Sequence, residues 1–176
     1  MTMNLTEKLT EISNKIETDF GTLNSEQLNR KSHPNSWSIA QCLEHLIISN
    51  EKYFPVFENI IASKHKMTFW EKNNPLTSYT GKQMIKTLGP IVTKKFQSPK
   101  LFLPSQSTIR NSIVLDFVLH QEKLKKIVDA LNDSKFDKII ITSPVAALLT
   151  LHLRDVLQIL IVHEERHLMQ MVSGKW

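Results

Sequence analysis

The sequence predicts an all-α protein, a four-helix bundle with a long crossover between its second and third helices. Three observations carry this prediction. Apolar residues recur at three- and four-residue steps in four separate stretches, the stripe by which a helix faces a core. The 176 residues include only 4 glycines and 7 prolines, too few for a sandwich, a barrel or a fold built on glycine turns. One connection, residues 63–107, is far longer than adjacent bundle helices need, and crossovers of that kind occur in bundles.

Leu5, Leu9, Ile12, Ile16 and Phe20 form the first stripe. Asn4 with Glu7 three residues on reads as a capping box, and Gly21 as a stop. Residues 22–37 read as a connector with a short turn around Ser25 to Leu28. The second helix begins at Ser38, which pairs with Gln41 in a second capping pattern. It runs through Ile39, Leu43, Leu46, Ile47, Asn50, Phe54, Phe57 and Ile61. Pro55 removes one backbone donor, so a kink is expected near Glu51.

In the crossover, Phe69-Trp70-Glu71 and the stretch from Tyr79 to Phe96 read as short helices, broken by Gly89-Pro90, while Ser98 to Pro104 reads as extended. The third helix is expected from about Ser107 to Leu131, with Asn132-Asp133-Ser134 ending it. The fourth carries Leu153, Val156, Leu157, Leu160, Ile161 and Met171 and stops near Gly174. Ser143-Pro144 offers its N-cap and first-turn proline, with Thr150 as a rival start. This last helix is apolar on more than one face, and is expected to be the most buried.

A chain of this length forms a single domain, residues 1–176, with enough surface to bury a proper core. Its net charge of +5 is dispersed, which does not point to nucleic acid, where a basic stripe is expected. The N-terminus lacks the basic and apolar segments of a signal peptide, and no run reaches the ~18 apolar residues of a membrane span. The single cysteine, Cys42, excludes an intrachain disulfide and suits a reducing compartment. These features predict a cytoplasmic protein with no membrane partner.

Chemistry concentrates in Ile161-Val162-His163-Glu164-Glu165-Arg166-His167-Leu168. Two histidines four residues apart lie about 40° apart on one helix face and about 6 Å apart along its axis. Two imidazoles buried without partners each cost a few kcal/mol, and metal ligation or a hydrogen-bond network removes that cost. The stretch also spells His-Glu-x-x-His, the zinc-protease pattern, in which Glu164 is the general base. None of the nine residues after His167 is His, Glu, Asp or Cys, so a further protein ligand comes from upstream and the protease reading fails. A ferritin-like di-iron bundle needs two Glu-x-x-His pairs, and the chain has one.

Of the other histidines, His33 and His65 read as solvated connector residues, and His152 as a boundary residue. His120 lies on the apolar side of the third helix and reads as a hydrogen-bonded core histidine. Glu165 and Arg166 read as solvated or ion-paired. Glu164 retains a role as base or as support behind the ligands, and Cys42 reads as a small buried hydrophobe.

Trp37-Ser38-Ile39-Ala40-Gln41-Cys42-Leu43-Glu44-His45-Leu46, followed by Arg154-Asp155-Val156 and then His163 to Gln170, resembles the DinB-like superfamily. These are bacterial four-helix proteins that include YfiT-type metal-dependent hydrolases and thiol-dependent transferases. The resemblance implies a three-histidine metal site, one ligand from the second helix and two from the last: His45, His163 and His167. It also implies a divalent transition metal, nickel, zinc or iron, among which three nitrogens and open positions do not choose. The expected function is transfer of a low-molecular-weight thiol such as bacillithiol to an electrophile, or hydrolysis of a small molecule. The alternative is a non-catalytic metal-binding stress-response bundle. A small-molecule substrate is the expected partner, with homodimerisation compatible because bundles with an apolar outer face often pair.

Overall fold

The computed structural model describes residues 4–91, 98–105, 108–131, 136 and 138–173. Four long helical units build the bundle: α1 (Leu5–Phe20), α3 (Ile39–Glu51) continued by α4 (Phe54–Ile61), α7 (Ile113–Ala130) and α8 (Leu153–Ser173). α1 packs against α7 and α8, and α3 packs against the same two helices. Leu9, Ile16, Leu43, Leu46, Phe117, Leu124, Val156 and Leu160 fill the space between them. The short α2 (Ser25–Asn29) lies in the first connector against α3.

α1 begins where the sequence places it, with the Asn4 side chain accepting from the Glu7 N–H. The continuation of α3 differs from the expected kink. The helix ends at Glu51, and α4 restarts at Phe54 with Pro55 in its first turn. There a missing N–H costs nothing, whereas a proline deeper in an unbroken helix removes a bond. α3 is also the most buried helix for its length: eight of its 13 residues are buried, against nine of 21 in α8.

The crossover contains α5 (Phe69–Asn73), α6 (Thr77–Leu88) and a single 3-10 turn at Lys100–Phe102, where an extended segment was expected. Phe96, the expected limit of the second crossover helix, lies outside the described residues. So do Ser107, Asn132, Asp133, Ser134 and Gly174. α7 starts at Ile113, later than expected, for a visible reason. The Asn29 side chain accepts from the N–H of Ile109 and donates to its C=O, which takes both backbone groups out of helical pairing.

The largest difference lies before α8. Ser143 ends a strand and Pro144 opens a hairpin turn, so neither starts a helix, and Thr150 lies in a strand. β1 (Ile140–Ser143) pairs antiparallel with β2 (Ala146–His152), with Ile141 opposite Leu151 and Thr142 opposite Thr150. Side chains cover both outer edges, which blunts them against pairing with other strands. Glu71 accepts from the N–H and hydroxyl of Thr142, Trp70 donates to the Leu148 carbonyl, and Thr80 donates to that of Thr150. α6 then runs along α8, and Gly81 permits the approach: a Cβ there would lie 2.1 Å from an Asp155 carboxylate oxygen. No helix among the described residues is long and apolar enough to cross a membrane.

Candidate metal centre

His45 stands on a helix whose start is fixed locally. Ser38 accepts from the Gln41 N–H while the Gln41 side chain accepts from the Ser38 N–H, a reciprocal capping box. The His45 Nδ1 lies 2.7 Å from the Phe102 carbonyl oxygen. A carbonyl only accepts, so Nδ1 carries the proton and Nε2 of the neutral ring presents its lone pair. Phe102 is placed in turn by α3. Glu44 accepts from the N–H and hydroxyl of Ser105, and Gln41 donates to the Ser105 carbonyl.

The other two imidazoles come from α8, one helical turn apart. His163 Nε2 lies 3.3 Å from His45 Nε2 and 3.1 Å from His167 Nε2. One ligand atom from each of the three residues falls within 4.8 Å of the others. His45 and His167 are buried and His163 is half-buried. Trp37 closes one side, its ring stacked on His167 at 5.9 Å and 15° and tilted against His45 at 4.7 Å.

Burial sets the protonation state of all three rings. Desolvation lowers His45, opposed by the Phe102 carbonyl. It lowers His163 well below its ordinary value, helped by the positive charge that His167, His45 or Arg166 would place beside it. His167 falls to about 3, again chiefly by desolvation and then by His45. The three stay neutral near neutral pH, the form in which imidazole binds a metal. One N–H at most can be shared across two nitrogen–nitrogen contacts this short, leaving lone pairs facing one another. A divalent cation between them relieves that opposition, so the donor set fits the metal that the sequence suggests.

Residues 9–171 match the sequence model of the DinB superfamily. The chain belongs to the DinB superfamily. No curated protein matches its sequence significantly. Among solved structures it is similar to YfiT from Bacillus subtilis, described as a probable metal-dependent hydrolase with an unusual four-helix bundle topology. That likeness covers 97% of this chain and 83% of YfiT at a TM-score of 0.59 and 12% identity. At that identity the likeness speaks for the shared fold.

Within this DinB-superfamily bundle the remaining histidines sit apart from the cluster. His33 is exposed, but His65 is half-buried and its Nε2 contacts the Ile140 carbonyl at 3.2 Å, so it belongs to the hairpin's packing rather than to solvent. His152 joins β2 to α8 and meets the Ser78 hydroxyl. His120 is a core residue, stacked on Phe54 and accepting from Asn50; burial, with Lys123 nearby, lowers it to about 4. Cys42 is buried, its thiol pushed up to about 12 by desolvation, which makes it inert.

Glu164 is fully buried, and its carboxylate is not among the atoms that form the histidine cluster. Its Oε1 accepts from Asn50 of α3 and from Gln121 of α7, both at 2.7 Å. Desolvation raises it to about 7, against those two hydrogen bonds. Arg166 donates to the Thr87 carbonyl and ties α8 to the end of α6.

Sequence reasoning missed Glu44, whose partner Ser105 lies 61 residues away. Only its place beside His45 hinted at a role. Supports that orient a ligating histidine typically contribute 10–100-fold to metal affinity. Glu44→Ala is therefore expected to weaken metal binding about 10-fold without changing helix content, as read by competition with a chromophoric chelator and by circular dichroism.

Proposed function

We propose that this chain is a metal-dependent enzyme acting on a small molecule, with His45, His163 and His167 as ligands of a nickel, zinc or iron ion. One observation carries the reading: three neutral imidazoles, two buried and one half-buried, converge through Nε2, and the Phe102 carbonyl fixes the tautomer of the first. A divalent cation held by three nitrogens keeps positions for a water or a thiol and acidifies whichever enters.

The chain supplies the rest. His45 keeps its lone pair turned inward because its Nδ1–H is committed to Phe102. Trp37 shields the His167 side from solvent. Asn50 and Gln121 hold Glu164, so that carboxylate serves from behind, fixing the seat of α8 on which both histidines stand. No carboxylate joins the cluster among the described residues. A thiol is roughly seven powers of ten more acidic than water and needs less help to lose its proton. This favours transfer of a low-molecular-weight thiol of the bacillithiol kind to an electrophile. Hydrolysis is the second reading, supported by the description of YfiT. The reaction is set in the cytoplasm, in a single chain or a homodimer, with no nucleic acid or membrane as partner.

The test joins metal analysis to turnover. The purified protein is expected to hold one divalent ion per chain. It should accelerate conjugation of bacillithiol to monobromobimane, or cleave a member of a small-ester panel, and lose that activity with a chelator. Full metal occupancy without turnover of any thiol or ester would instead identify a non-catalytic metal-binding stress-response bundle.

A further inference from the structure

Behind Trp37 lies a cavity of about 320 Å³, at the small end of the range for ligand pockets. Its position relative to the three histidines is defined by two residues. Trp37 lines the cavity and stacks on His167. Gln170 also lines it and stands three residues after His167 on α8. The cavity and the histidine cluster therefore share a wall.

The lining has a definite chemistry. Trp37, Ile39 and Met171 give it an apolar surface, and Ser32 and Arg30 stand exposed at its rim. Among the described residues Arg30 is the only charged one that lines the cavity, and none of the lining residues is Asp or Glu. The Arg30 guanidinium has no ion-pair or hydrogen-bond partner among the described residues. The rim is rigid on its own account, since Ser36 accepts from the His33 N–H and donates to the His33 carbonyl, fixing the turn that carries Ser32. Gln27, Ser36, Ser38 and Gln170 add polar groups to the lining. An uncommitted planar cation beside a slot of this mixed character, with no competing acid among the described residues, suits a small anion that also carries an apolar body.

We propose that this cavity binds a small organic acid, with its carboxylate on Arg30 and its apolar body against Trp37, Ile39 and Met171. Resting on the metal-dependent reading above, the acid held here sits across the Trp37–His167 stack from the three histidines and bears on them through that stack. The ligand class is a small acid with an apolar body, held by a part of the chain that contributes none of the three histidines. The N-terminal end of α3 opens on the same space and adds positive potential to it.

The probes are benzoate and its uncharged counterpart benzyl alcohol, titrated calorimetrically into the full chain, both metal-free and zinc-loaded. Benzoate is expected to saturate the metal-free protein, to bind at least ten-fold more tightly than benzyl alcohol, and to lose at least ten-fold in affinity in Arg30→Ala. It should also shift the indole N–H resonance of Trp37, identified by its disappearance in Trp37→Phe. Non-saturable benzoate, equal affinity in Arg30→Ala, or an unmoved Trp37 resonance would each overturn the proposal. The two readings separate cleanly. A chain that binds benzoate but no metal sinks the metal reading and leaves the cavity assigned; a chain that binds metal but not benzoate does the reverse.

Discussion

Replacing His163 with alanine is expected to reduce bound metal to background. His163 is the hinge of the cluster, the only one of the three whose Nε2 contacts both of the others, at 3.3 and 3.1 Å. Its loss leaves two donors from different helices and removes the one between them. The effect should exceed the roughly 10–100-fold that follows loss of an outer support, so affinity falls by more than about 100-fold. Stability separates this from misfolding. A metal that binds only the folded chain adds RT ln(1 + [M]/Kd) to it, so wild-type protein should melt higher with zinc and His163→Ala should not. The metal-free variant should melt near the metal-free parent, because its removal relieves lone pairs that face each other. Full occupancy in His163→Ala by elemental analysis would sink the ligand assignment.

The second large effect concerns Glu164 and is read as stability against pH. Its folded value of about 7 lies above the ordinary 4.5 because of burial. A group whose pKa is raised on folding stabilises most below its unfolded value, and that contribution is lost as pH rises through the folded one. Between about pH 4.5 and 7 the shift corresponds to something on the order of 3 kcal/mol. The buried histidines act with opposite sign. Their folded values are depressed, so their contribution is present above about pH 6.5 and lost as pH falls. Glu164→Gln keeps the oxygen that accepts from Asn50 and Gln121 but cannot ionise. It should match wild type near pH 5 and exceed it by a few kcal/mol near pH 8, measured by urea unfolding of metal-free protein. Equal pH profiles would show that the carboxylate ionises freely despite its burial. Turnover retained in Glu164→Gln would also show that it is not the catalytic base, whereas turnover lost at full metal content would give it that role.

Local chemistry made much of this fold readable. The stripe from Leu5 to Phe20 and the Ser38–Gln41 box are decided within four residues, and both helices begin where those residues put them. The histidine pair was legible for the same reason. What escaped was decided at a distance. Ser143-Pro144 has the composition of a helix start, and only the pairing of Ile141 with Leu151 and the grip of Glu71 on Thr142 make it a turn. The late start of α7 follows the hold of Asn29 on Ile109, 80 residues further along the chain. The segment from Phe102 to Ser105, whose Phe102 carbonyl orients His45, is held by Glu44 through a contact no periodicity announces. His65 looked solvated because its neighbours are lysines, yet its ring reaches a strand 75 residues on.

His45 and the next histidine of the cluster are separated by 118 residues of chain. Closing a loop of that length before any helix has packed is entropically costly, and an ion offered to the unfolded chain finds only the adjacent pair on α8. The centre is thus assembled last. Metal uptake should follow folding rather than nucleate it, with the rate of capture set by access to a finished bundle. Neither half of a chain cut within the crossover contains all three histidines of the cluster, and an ion that reunites them would act as a clasp between two peptides.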